Sequence, residues 1–143
     1  KSYANALGLM QVLPSTAAFV MKDRLYRYKQ KKNLLYNPKY NLQISAKYIH
    51  FLLGLDIVKN DLINMLASYN AGPGNFKKWT SNKLKKEKDP LFMIETLPAR
   101  QTRNYIKLVL TNLWIYRIRL KENPYIIPSL AMGKKTNFIT RKQ

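Results

Sequence analysis

The sequence contains no cysteine, one histidine and only 7 acidic residues among its 143. Without cysteine the chain has no disulfide framework, no thiolate metal ligands and no catalytic thiol. His50 has no Asp or Glu three or four residues away, whereas a metal site needs several ligands. Gly72-Pro73-Gly74 puts a proline where a phosphate-binding loop needs an N–H donor. We therefore expect no metal and no cofactor.

Long apolar runs are also missing. A membrane-spanning helix needs about 20 predominantly apolar residues, and the stretches Tyr48–Leu55 and Tyr105–Tyr116 are short or interrupted by polar residues. Residue 1 is Lys, and Lys1–Gln11 lacks the basic start, apolar run and cleavage site of a secretory signal. We expect no membrane-spanning helix in this chain and expect the chain to begin inside a longer protein.

Positive charge is abundant. The sequence has 26 Lys and Arg residues against 7 acidic residues, which gives a net charge of +19. Such an excess favours a polyanionic partner: a nucleic acid, an anionic membrane surface or an acidic polymer. The basic clusters are Lys22–Lys32, Lys77–Lys88 and Lys134–Lys142, separated by apolar stretches rather than gathered on one stripe. A solvated lysine-rich surface explains the same clusters without a partner.

The hydrophobic spacing predicts a mainly α fold, with no dominant alternation typical of strands. Helices are expected to begin at Pro14, after Asn37-Pro38 and near Asp61, and Thr102 is expected to cap the last long helix. We predict loops at Lys22–Lys32 and Ser81–Pro90, and a short helical turn at Phe76–Trp79. We expect one domain over residues 1–122 and a basic extension over residues 123–143.

Helical stripes also predict which side chains form the core. One stripe runs along the second helix from Leu42 to Leu53, and another runs along the last helix from Tyr105 to Leu120. The side chains expected to be buried are Leu42, Ile49, Leu66, Val109 and Leu113.

Among the acids, Glu95 has the most unusual setting, because it lies between Met93-Ile94 and Leu97-Pro98. A carboxylate in apolar surroundings needs a reason, which is either a function or a buried salt bridge to a nearby Arg or Lys. Asp61 is expected to lie at the start of a helix, and the other acids are expected to be solvated charges on the surface.

Two short segments place polar side chains at the end of apolar stretches, beside glycines that let a ligand approach the backbone. They are Ala6–Pro14, with Gln11, and Ala67–Gly74, with Tyr69 and Asn70. This pattern favours a groove for a sugar or a peptide, although each segment alone could simply end a helix.

These segments resemble motifs of the soluble lytic murein transglycosylases, whose SLT domain has a goose-type lysozyme-like fold. Gly8-Leu9-Met10-Gln11 is similar to the family's Gly-Leu-Met-Gln motif, and Tyr69-Asn70-Ala71-Gly72 to its Ala-Tyr-Asn-Ala-Gly motif. The Asn37-Pro38 helix and the block from Ile94 to Ile106 are similar to two further family motifs. The resemblance covers residues 1–120 and implies a lysozyme-like helical domain.

The resemblance implies cleavage of the β-1,4 bond between N-acetylmuramic acid and N-acetylglucosamine in peptidoglycan, with a 1,6-anhydro product. One Glu acts first as acid and then as base, and the substrate's N-acetyl group replaces a second carboxylate. The implied partners are peptidoglycan glycan strands, in the periplasm or cell envelope, with no nucleic acid. Charge alone adds contact with an anionic membrane or cell-wall surface.

The family's catalytic Glu belongs to a Glu-Ser-x-Phe motif that would precede Lys1, so we expect an N-terminally truncated domain that is inactive alone. The alternative functions are a non-catalytic peptidoglycan-binding module and a gene remnant. The resemblance assigns substrate contacts to seven residues, with Tyr69 beside the reacting sugar and Glu95 on the stem-peptide side. They are Ser2, Gln11, Leu13, Tyr69, Asn70, Glu95 and Tyr105.

Overall fold

A computed structural model describes residues 2–82 and 89–137, with the side chain of residue 82 left out. Helices dominate this part of the chain, which has no strand and two isolated β-bridges, so the expectation of a mainly α fold is confirmed. The eight α-helices described are α1 Pro14–Val20, α2 Lys29–Lys32, α3 Pro38–Leu53, α4 Leu62–Ala71, α5 Pro73–Asn82, α6 Pro90–Thr96, α7 Arg100–Arg119 and α8 Ile126–Ala131.

The chain divides into two compact units, an N-terminal unit of residues 1–51 and a C-terminal unit of residues 52–143. None of the helices described above is long and apolar enough to cross a membrane.

The N-terminal unit has a small apolar core. As expected, α1 begins at Pro14, whose missing N–H costs nothing in the first turn. The side chains that form this core are Leu7, Val12, Ala17, Ala18, Tyr26, Leu35 and Ile44.

The loop predicted for Lys22–Lys32 is wrong. A 3₁₀-helix over Arg24–Arg27 precedes α2, and a second one over Asn33–Tyr36 follows it. The Asp23 side chain caps the first 3₁₀-helix by accepting a hydrogen bond from the Leu25 N–H, and the Lys31 ammonium donates to the same carboxylate. That bond from Lys31 holds the pKa of Asp23 below its usual range. The lysine-rich composition concealed helical turns that these local contacts stabilise.

Helix α3 begins after Asn37, as expected, but buries a different face from the predicted one. Leu42 is 47% exposed and Ile49 is only half-buried, whereas Ile44, Tyr48 and Leu52 are buried together with Asn41 and Ser45. The Ser45 hydroxyl donates to the Asn41 carbonyl oxygen at 2.6 Å. Because the buried face includes two polar side chains with partners, the apolar stripe in the sequence indicated the wrong side.

In the C-terminal unit, Asp61 caps α4 by accepting a hydrogen bond from the Asn64 N–H at 2.9 Å. The predicted helix start and the burial of Leu66 are therefore confirmed. Gly72 ends α4 with a φ of 84°, a value that favours glycine. The helical turn predicted at Phe76–Trp79 is present, and it belongs to the longer, ten-residue helix α5.

Helices α6 and α7 differ from the sequence prediction. Helix α6 begins at Pro90, which was expected to be the last residue of the loop Ser81–Pro90. Asp89, which is exposed, caps α6 through the Leu91 and Phe92 N–H groups. Helix α7 begins at Arg100 with Ala99 at its N-cap, so the expected Thr102 cap is wrong. Residues 83–88 of that predicted loop lie outside the described residues.

The buried face of α7 consists of Thr102, Ile106 and Leu110. Val109 and Leu113, which we expected in the core, are half-buried. As in α3, the buried face includes a polar side chain that has a partner. The buried face therefore lies about one residue away from the apolar stripe predicted from the sequence.

Residues that follow α7 also contribute to the packing of this unit. Ile126 and Leu130 of α8 are buried, and the Leu62 N–H at the start of α4 donates to the Thr136 carbonyl oxygen at 2.9 Å. Asp61 and Asn137 form an isolated antiparallel bridge. The domain boundary at residue 122 stays a prediction.

The carboxyl of Asp61 is buried, and that burial raises its pKa despite the hydrogen bonds it accepts. Asp61→Ala removes the cap, so the free energy of unfolding should fall by about 1 kcal/mol. Asp61→Asn keeps an oxygen that accepts from the Asn64 N–H and removes the buried charge. Urea unfolding at several pH values measures both effects.

The sign of the pH effect follows from the raised pKa. The folded protein holds this proton more tightly than the unfolded chain, so the resulting stability is complete below pH 3.8 and is lost as the pH rises through the folded pKa. Asp61→Asn should therefore gain stability relative to the natural protein as the pH rises to 7. An Asn variant that loses as much stability as the Ala variant at pH 7 would contradict this account.

Candidate substrate-binding site

A tight turn at residues 7–12 forms the first part of the predicted site. Leu7 and Val12 exchange backbone hydrogen bonds of 2.9 and 3.0 Å, which close the turn. Gln11 has a φ of 52°, and its side-chain Nε2 donates to the Gly8 carbonyl oxygen at 2.8 Å. Because Gln11 is exposed, its side-chain oxygen remains at the surface of the turn.

Gly8 is required by this turn for two reasons. Its φ of 72° lies in the left-handed region. A Cβ at this position would lie 2.1 Å from the Leu35 carbonyl oxygen and 2.3 Å from the Asn41 Nδ2. The motif glycine thus permits close packing of the turn against the neighbouring backbone.

Asn41 of α3 holds the turn through its side-chain amide, a role that was not predicted from the sequence. Its fully buried amide donates to the Leu7 and Leu35 carbonyl oxygens at 2.9 and 2.8 Å. Its Oδ1 accepts from the Met10 N–H at 2.8 Å. The available signal was an Asn in the first turn of a predicted helix, where its side chain can bond to nearby backbone groups.

Ser2 and Leu13 lie at either end of the same segment. The Ser2 hydroxyl oxygen accepts from the Ala6 N–H at 2.9 Å, and the Ser2 carbonyl oxygen accepts from the Asn5 N–H at 3.0 Å. Leu13 immediately precedes α1 and is 38% exposed. Ser2, Gln11 and Leu13 therefore all belong to the N-terminal unit.

The end of α4 carries the second part of the predicted site. Tyr69 and Asn70 are both half-buried there, one turn before Gly72. The Thr102 hydroxyl of α7 donates to the Asn70 Oδ1 at 2.9 Å. The structure thus attaches Asn70 to α7 through a residue that the sequence analysis took for a helix cap.

Tyr105 follows Thr102 by almost one turn of α7 and is half-buried. Burial, assisted by the neighbouring Tyr69, raises the pKa of Tyr105 to about 12. Its phenol is therefore neutral at neutral pH, where it can donate or accept a hydrogen bond but does not exchange its proton readily. Tyr69 therefore lies near Tyr105, and Asn70 is joined to the same helix through Thr102.

Glu95 does not have the apolar environment expected from its neighbours. Its side chain is 59% exposed, and its Oε1 lies 3.1 Å from the Lys107 ammonium of α7. The expectation of a buried salt bridge is therefore wrong, and an exposed pair of this kind contributes little to stability. The adjacent turn is held instead by Arg103, whose guanidinium donates to the Leu97 carbonyl oxygen.

The family model of the transglycosylase SLT domain matches residues 1–92 of this chain. The chain belongs to this family. It is 30% identical over 135 residues to the soluble lytic murein transglycosylase of Escherichia coli K12, covering 94% of this chain and 20% of that protein. No solved structure matches the chain.

Two further relatives have related names. The soluble lytic murein transglycosylase of Salmonella typhimurium LT2 is 32% identical over 82% of this chain and 18% of its own length. The membrane-bound lytic murein transglycosylase C of Actinobacillus pleuropneumoniae serotype 5b is 29% identical over 76% of this chain and 34% of its own length. The chain thus spans about a fifth of the length of the soluble relatives.

The matched part of the SLT domain includes five of the predicted contact residues and excludes two. The turn at residues 7–12 and the end of α4 lie within it, whereas Glu95 and Tyr105 lie beyond residue 92. Thr102 also lies beyond it, although its hydroxyl contacts the matched Asn70.

Asn41→Leu tests how much the turn depends on this amide. The variant keeps a side chain of similar size but removes the hydrogen bonds to the Leu35 carbonyl oxygen and the Met10 N–H, and one of the two bonds that the Leu7 carbonyl oxygen accepts. Each buried polar group that loses its partner costs about 1–3 kcal/mol. The free energy of unfolding should therefore fall by about 2 kcal/mol or more, as measured by urea denaturation. The control is Gln43→Leu at an exposed position of the same helix, and equal losses in the two variants would contradict this role.

Proposed function

We propose that this chain is part of a lytic transglycosylase of the bacterial cell envelope, the periplasm included. The whole protein cleaves the β-1,4 bond between N-acetylmuramic acid and N-acetylglucosamine and leaves a 1,6-anhydro sugar. The observation that carries this proposal is the family match across residues 1–92, joined by relatives named as lytic murein transglycosylases. The cluster at the end of α4 supports it, because its amide and phenol groups suit a sugar.

Within that function, the cluster of Tyr69, Asn70 and Tyr105 binds the glycan strand. Half-buried amide and phenol groups can replace the water around sugar hydroxyl and acetamido groups, and aromatic rings pack against the apolar faces of sugars. Tyr69 lies beside the reacting sugar. Because the Tyr105 phenol is neutral, it takes part as a hydrogen-bonding group and not as an acid.

The remaining contact residues lie elsewhere on the chain. Ser2, Gln11 and Leu13 contact the sugars from the N-terminal unit, with Gln11 offering its exposed side-chain oxygen. Glu95 faces the stem peptides, whose amino groups can replace Lys107 as the partner of its exposed carboxylate.

Cleavage needs an acid within hydrogen-bond reach of the glycosidic oxygen. The carboxyls of Asp23, Asp61 and Glu95 already serve as a helix cap or an exposed ion pair. We assign the acid to the Glu of the family's Glu-Ser-x-Phe motif, for which residues 1–143 contain no match. This Glu protonates the leaving oxygen and then takes the proton of the sugar's 6-hydroxyl, whose oxygen bonds to C1.

The surplus of positive charge serves encounter rather than chemistry. Peptidoglycan carries stem-peptide carboxylates, and the Lys and Arg side chains attract them over roughly one Debye length, about 8 Å at physiological salt. An anionic membrane or cell-wall surface is attracted in the same way. Contact of this kind weakens as salt is added, whereas binding of sugars in the groove does not depend on salt to the same degree.

The test incubates the full-length protein with purified peptidoglycan and identifies the released fragments by mass spectrometry. We expect 1,6-anhydromuropeptides. Tyr69→Phe should lower their rate of release about three- to tenfold, the effect of one lost hydrogen bond. Tyr116→Phe is the matched control, because Tyr116 is 60% exposed on α7, and it should leave the rate unchanged.

Other products point to other functions. Reducing muropeptides would indicate a hydrolase, and retention on peptidoglycan without any release would indicate a binding module. Binding that is lost steeply with salt and is equally strong for DNA would replace the proposal with a nucleic-acid function.

A further inference from the structure

Thr102 occupies an unusual position for a polar residue. It is 2% exposed and lies on the buried face of α7 between the end of α4 and the apolar residues Ile106 and Leu110. Its hydroxyl lies 2.9 Å from the Asn70 Oδ1, across 32 residues of sequence. This is a tertiary hydrogen bond, which joins a buried hydroxyl to a residue of the proposed groove.

The direction of this bond determines how the Asn70 amide is oriented. Within residues 2–82 and 89–137, the Thr102 hydroxyl makes this hydrogen bond and no other. A buried hydroxyl proton needs an acceptor, so the proton points to Oδ1 and the amide nitrogen lies on the opposite side. In the described part of the chain, Nδ2 has no hydrogen-bond partner, and it is not among the buried atoms without one. Nδ2 is therefore not fully buried, which leaves its N–H groups available to a ligand.

We propose that Thr102 is a positioning residue that turns the Asn70 amide so that its two N–H donors face the glycan, where they bind the carbonyl oxygen of a sugar N-acetyl group. This inference rests on the proposed function and adds to it a particular substrate group. It also gives a buried threonine of α7 a role in selecting the substrate, although Thr102 itself does not touch the glycan.

The chemistry of the glycan explains this choice of group. Sugar hydroxyls both donate and accept, whereas the acetamido carbonyl only accepts and is the strongest neutral acceptor on the strand. A group that can only donate is matched by a group that can only accept. Removal of the acetyl group leaves an ammonium group, which can only donate hydrogen bonds and so cannot bind the N–H donors of Asn70. The arrangement therefore predicts discrimination between N-acetylated and de-N-acetylated glycans.

Three variants of the full-length protein test this inference by calorimetric titration. The probes are tetra-N-acetylchitotetraose and its fully de-N-acetylated form. Thr102→Val keeps the size of the side chain but removes the hydroxyl, and should raise the Kd for the N-acetylated probe about three- to tenfold. Thr102→Ser keeps the hydroxyl and should retain the natural Kd.

Asn70→Asp tests the role of the amide nitrogen of Asn70 by replacing it with an oxygen. Its carboxylate still accepts the Thr102 proton but presents an acceptor to the ligand in place of two donors. The preference for the N-acetylated probe, expressed as the ratio of the two Kd values, should therefore fall about tenfold or reverse. A purely structural role would alter both Kd values together and leave this ratio unchanged.

The outcomes separate this inference from the proposed function. If the natural protein binds the N-acetylated probe and both Thr102→Val and Asn70→Asp keep its affinity and selectivity, the positioning role is wrong and the proposed function stands. If the natural protein binds neither probe, the proposed glycan site is itself wrong. Circular dichroism checks that each variant is folded, and if the Thr102 variants are not, the ratio measured with Asn70→Asp decides.

Discussion

The amide of Asn41 makes hydrogen bonds to three backbone groups of the N-terminal unit. It accepts from Met10 and donates to Leu7 and Leu35, so it couples the Gly8–Gln11 turn to α3. Gly8 must lack a side chain because this amide lies where its Cβ would be. The shape of the turn, and with it the position of Gln11, depends on these hydrogen bonds.

Polar side chains also hold the backbone or a neighbouring side chain at two places in the C-terminal unit. The Asp61 carboxylate caps α4 and the Thr102 hydroxyl holds its other end through Asn70, so both ends of the helix are fixed by buried polar side chains. The sequence has 7 acids among its 143 residues. Of the two ion pairs found among the described residues, Lys107–Glu95 is exposed and Lys31–Asp23 is half-buried. Apolar burial and specific hydrogen bonds, rather than charge pairing, therefore stabilise this fold.

The family and three of the four expected helix starts could be predicted because their signals are local. Pro14, the Asn37-Pro38 pair and Asp61 each act on the first turn of their own helix, and no distant contact is needed to interpret them. The loop predicted for Lys22–Lys32 was wrong because the prediction followed composition and overlooked a local cap. A lysine-rich stretch indicated a loop, although Asp23 and Lys31 stabilise short helical turns there.

The sequence by itself determined the helical class, the starts of α1, α3 and α4, and the two motifs that carry the proposed contacts. Only the tertiary structure decided which helix faces are buried and what orients the motif residues. The physical reason is that Asn41 and Thr102 enter the interior through partners 34 and 32 residues away in sequence. Such hydrogen bonds remove the penalty for burying a polar group, and neither hydrophobic spacing nor a capping rule can foresee them.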